Sequence, residues 1–195
     1  MMKHSQAEIV KNLTGKELRF HLYISQFAII LLAIILGFIF MQNIPDSMFQ
    51  INFRYLAIGA VSGIIVVIID LLFMKIVPPH YFDDGGINEK IFKGLSIPKI
   101  FAMTLLIAVA EELLFRGVIQ TKFGLVVASI IFALTHIRYW SKWFLLINII
   151  VLSFWIGFIY DWTEQQLLPS IVMHFTIDFL LGIYISRKSI RNNID

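Results

Sequence analysis

The residues able to do chemistry crowd into the carboxyl-terminal half of the chain, in three short clusters: Glu111-Glu112-Leu-Leu-Phe-Arg116, Phe132-Ala-Leu-Thr-His136 and His174-Phe-Thr-Ile-Asp178. On a helix, residues four apart share a face while adjacent ones diverge by about 100°. Arg116 therefore falls over Glu112 and can neutralise it as an ion pair, whereas Glu111 is left without that cation. A carboxylate with no ionic partner in an apolar setting suits a general base. The structural alternative is a buried Glu–Arg pair that holds helices in register. His136, alone at the end of an apolar run, reads first as an interfacial or core histidine. In the third cluster, the i,i+4 spacing puts imidazole and carboxylate on one face. Asp178 can then orient His174 or share a polar cavity with it, and an interhelical hydrogen bond would explain the pair nearly as well. Each ionisable group placed alone in a membrane helix costs about 2.5–3.5 kcal/mol on insertion scales. Gathering these around one hydrated pocket lowers that cost and builds a constellation able to activate water.

The elements that must position them follow from composition. Hydrophobic residues make up 58% of the 195, charged residues 15%, and the mean hydropathy is +0.82. Soluble domains run near 45–50% apolar and about 25% charged, and a chain this short cannot bury such an excess of apolar surface in water. A cytosolic globular enzyme, a disordered chain and a secreted disulfide scaffold are excluded. The absence of cysteine also excludes thiolate metal sites. Apolar runs cover roughly residues 22–41, 55–77, 100–119, 123–137, 143–160 and 167–185. They compare with the roughly 20 residues that a spanning helix needs. The expected fold is an all-α polytopic membrane protein of about six transmembrane helices, with the catalytic core formed by the last four.

Four sections follow: a basic cytoplasmic or interfacial segment (1–21), two spans with a polar connector (22–96), the core (97–186) and a basic tail (187–195). The first run reads as a retained span, because about 20 polar residues precede it and no small-x-small cleavage site follows. With the amino terminus inside, every Lys and Arg but Arg54, Arg116 and Lys122 falls on the inner side, which places both termini in the cytosol of a cell-membrane protein. The basic residues are spread along that face, so nucleic-acid binding is not expected. Asp70, near the inner end of the second span, reads as structural, reaching the interface near Lys75. His4, His21 and His80 read as solvated.

The ordered motifs EExxxR (Glu111, Glu112, Arg116), FxxxH (Phe132, His136) and HxxxN/D (His174, Asp178) resemble the CPBP family of intramembrane proteases, also called the Abi or CAAX-protease group. Asp178 stands where the prenyl-protein-processing relatives carry Asn. The resemblance implies a membrane-embedded endopeptidase acting on a peptide or protein substrate that enters from the bilayer. Eukaryotic relatives cut a tripeptide from prenylated CAAX proteins, and bacterial ones are linked to peptide processing and bacteriocin self-immunity. By motif, Glu111 with His136 would activate water, His174 and Asp178 would stabilise the oxyanion, and Glu112 with Arg116 would support the site. No cofactor is favoured, since the chain lacks HExxH. If zinc were used, Glu111, His136 and His174 would hold it. The competing readings are a non-catalytic immunity or regulatory partner and a small transporter, the latter disfavoured by the absence of paired halves.

Overall fold

A computed structural model describes residues 13–41 and 43–191, in which every regular element is helical. Helix α1 (Gly15–Phe40) starts at Thr14, whose hydroxyl and Glu17 form a reciprocal capping box. Helix α2 (Phe53–Ile76) is capped by the Asn52 side chain and stops before Pro78-Pro79. The connector carries a 3-10 turn (Pro79–Phe82) and the short helix α3 (Ile87–Phe92). Helix α4 (Ile97–Glu112), with Pro98 in its first turn, runs directly into a π-helix (Leu113–Gln120) and a last turn, α5 (Thr121–Phe123). Helices α6 (Leu125–Thr135), α7 (Trp143–Trp162) and α8 (Leu167–Arg191) complete the chain.

The all-α membrane architecture agrees with the sequence, but six uniform spans do not form. Among the described residues four helices, α1, α2, α7 and α8, are long and apolar enough to cross a bilayer. The third run changes helix type at Leu113, and the fourth yields only the 11 residues of α6. At 1.5 Å per residue α6 is roughly 16 Å long, about half of a hydrocarbon core. It is cut short by Gly124 (φ +84°) before it and by the non-helical His136 (φ −83°, ψ 54°) after it.

Residues 15–21 are the first turns of α1, and α8 runs on through Arg191. Lys3, His4 and Lys11, and residues 192–195, lie outside the described residues.

Helix α8 is central and packs on α2, α4 and α7. Gly59 and Gly63 of α2 let its backbone close on that of α8. A Cβ at Gly63 would stand 2.8 Å from the Met173 carbonyl oxygen, and one at Gly59 would meet the Pro169 carbonyl. Such small-xxx-small contacts drive helix association where lipid removes any hydrophobic gain. Large apolar side chains cover the outside, with Phe38 87% and Phe53 82% exposed, a surface suited to acyl chains.

Candidate active site

The EExxxR segment spans the change from α-helix to π-helix, a type that occurs mostly as short insertions, frequently at functional sites. The predicted pair forms there: Arg116 Nε donates to Glu112 Oε2 at 3.0 Å, and both side chains are fully buried. Arg116 also donates to Ser153 Oγ on α7 at 3.0 Å, and its guanidinium lies 5.4 Å from the centre of the Phe132 ring. Gln120 continues the network to the Gly157 carbonyl and Asp161, both at 2.8 Å. Helix α7 comes this close because Gly157 has no side chain. A Cβ there would crowd Gln120 and Arg116. Arg116 is therefore a buried anchor, not the outer-loop cation that the charge count assumed.

Glu112 has a second partner that the spacing does not reveal. Its Oε1 accepts a 2.8 Å hydrogen bond from His174 Nδ1 on α8. One carboxylate thus ties Arg116 and the imidazole together, and the proton held at Nδ1 turns Nε2 toward the rest of the site. Asp178 Oδ2 lies 3.6 Å from that Nε2, beyond hydrogen-bond length. Of the two relations expected for this pair, the structure selects the shared cavity, while Glu112 holds the ring directly.

His136 caps α6. Its Nδ1 donates to the Phe132 carbonyl at 2.9 Å, and its ring lies 4.7 Å from the Phe132 ring and 6.1 Å from that of Tyr139, nearly parallel to the latter. The FxxxH spacing places both the carbonyl and the aromatic face under one imidazole. Burial pushes the Tyr139 hydroxyl above the usual phenol range.

Glu111, on the neighbouring face of α4, makes no ion pair among the described residues. Its one hydrogen bond among the described residues comes from Gln26 Nε2 of α1, at 3.4 Å. Glu111, His136, His174 and Asp178 all line one cavity of about 420 Å³, closed by α1 and α3 and rimmed by His21, Asn88 and Arg138. A larger cleft of about 920 Å³ lies against the carboxyl-terminal half of α1 and residues 43–49, away from these groups and mostly apolar.

The family model for type II CAAX prenyl endopeptidases, Rce1-like, matches residues 93–180. The chain is also 42% identical over 172 residues to the uncharacterized protein YpbD of Bacillus subtilis (strain 168), covering 87% of this chain and 90% of the relative. This chain belongs to the Rce1-like CAAX endopeptidase family. No solved structure matches it. The Rce1-like segment contains Glu111, Glu112, Arg116, His136, His174 and Asp178 but not Gln26.

Gln26, Gln120 and Ser153 were missed by sequence reasoning. The first was legible as a lone amide in an apolar run, while the other two look like ordinary polar interruptions. Among the described residues, no group of three or more His, Asp or Glu side chains lies together as a set of metal ligands. Asp70 makes no ion pair with Lys75, because residues five apart on a helix point about 140° from one another. It is half-buried in a separate cleft of about 400 Å³ that includes Asn148 and Trp155.

Proposed function

We propose that this Rce1-like chain is an intramembrane endopeptidase in which Glu111 is the base that activates water. The observation that carries this reading is one cavity, walled by four helices, that holds Glu111, His136, His174 and Asp178 together. Glu111 takes a proton from water while His136, with Nδ1 committed to the Phe132 carbonyl, offers Nε2 to the same molecule. The hydroxide adds to the scissile carbonyl carbon. His174, protonated and held at Nδ1 by Glu112, donates from Nε2 to the oxyanion, and the Asp178 carboxylate shares the cavity with that imidazole, 3.6 Å away. The proton held by Glu111 then passes to the leaving amine as the C–N bond breaks. Arg116 holds Glu112 in place through their 3.0 Å contact.

The substrate is a membrane-associated peptide, prenylated or leader-like, entering between helices from a cell membrane whose cytosolic side carries both termini. Comparative membrane peptidomics of wild-type cells and a Glu111→Ala strain tests this. Peptides that accumulate uncut only in the variant are expected, and identical peptidomes would overturn the assignment. A quenched farnesylated CAAX peptide tests the prenyl class, with cleavage expected from wild type and none from the variant.

A further inference from the structure

Helix α1 turns little of itself inward: of its residues only Leu18, Gln26 and Ala33 are buried. The outer two serve packing. Gln26 is only 6% exposed, and an amide on a packing face inside a membrane helix is costly where Leu or Ala would fit without penalty. That cost is visible, because Gln26 Oε1 is buried with no hydrogen-bond partner. The other end of the amide is engaged, with Nε2 donating to Glu111 Oε1. The amide must lie this way round, since the reverse would set a carbonyl oxygen against a carboxylate, acceptor against acceptor.

We propose that Gln26 is a positioning residue for the base. Its N–H fixes the rotation of the Glu111 carboxylate by holding Oε1, and leaves the second oxygen to the water. This rests on the reading of Glu111 as the base. It makes the first span, which lies outside the segment shared with the family model, a part of the active site and more than a membrane anchor. A structural role alone, as an interhelical tie, would need the bond but would not couple it to turnover.

The test uses the full chain in lipid nanodiscs, with a quenched farnesylated CAAX peptide as probe. Q26L keeps the volume and deletes the donor, and Q26H returns an N–H at similar reach. The expected result is a fall in kcat of about tenfold or more for Q26L with KM unchanged, and substantial recovery in Q26H, because a catalytic group held off its productive geometry loses rate before binding. Wild-type kcat in Q26L overturns the proposal, as does a Q26H no better than Q26L. Carboxylate ¹³C signals of Glu-labelled protein, assigned with Glu111→Gln, report the contact whether or not the peptide is cut. A Glu111 signal that moves in Q26L supports the contact, and one that stays overturns it. If Glu111→Gln cleaves normally, the base assignment fails, while the NMR arm still decides whether Gln26 holds that carboxylate.

Discussion

Two cavities of similar size, about 420 and 400 Å³, each place a carboxylate inside the apolar body of the protein. Around Glu111 gather Gln26 from α1, His136 from the end of α6, and His174 and Asp178 from α8, with His21 and Asn88 also lining the cavity. Around Asp70 the walls are mostly Val, Ile, Leu, Phe and Trp, with Asn148 and Tyr139 as polar company, and Asn148 itself donates to the Phe144 carbonyl. An intramembrane carboxylate is a functional candidate by default, yet the difference between these two is convergence. The first gathers several groups that can pass a proton and stabilise an anion, and the second holds one phenol and an amide already engaged.

The largest expected effect comes from removing the base. Glu111→Gln should lower turnover of the farnesylated peptide by about 10²–10⁴-fold, the usual contribution of general acid–base catalysis, while Asp70→Asn leaves it unchanged. Equal losses in the two variants would erase the distinction between the cavities. Next comes the buried tie beneath the site. Arg116→Met strands Glu112 without its cation and should cost roughly 3–5 kcal/mol in thermal or denaturant unfolding. Adding Glu112→Gln to it should recover much of that stability while activity stays low. Asp178→Asn should cost at most about tenfold in kcat, a change of roughly 1.4 kcal/mol, because the 3.6 Å contact to His174 exceeds hydrogen-bond length. Asp70→Leu should raise stability by roughly 1 kcal/mol in detergent melts, by relieving a half-buried carboxylate that lacks an ionic partner. Finally, exhaustive chelation should leave peptide cleavage unaltered. Loss that zinc restores would require a different account of water activation.

Much of the site was legible because its motifs are local. The Glu112–Arg116 pair, the separation of Glu111 from it and the shared face of His174 and Asp178 all follow from helical spacing within a few residues. Composition likewise required lipid as the solvent for most of the surface, and therefore helices. The length of α6 was not legible, because hydropathy runs straight through Gly124 while the backbone does not. Nor was the approach of α2 to α8, although Gly59-x-x-x-Gly63 was its visible signal.

The sequence by itself determined the membrane-embedded helical class and which ionisable residues occupy it, since both depend on transfer free energies and on contacts one turn apart. Only the tertiary structure decided that Glu112 serves His174 as well as Arg116, and that α1 brings Gln26 to Glu111. Those contacts join residues 62 and 85 positions apart, and such pairings are set by how whole helices pack rather than by the period of any one of them.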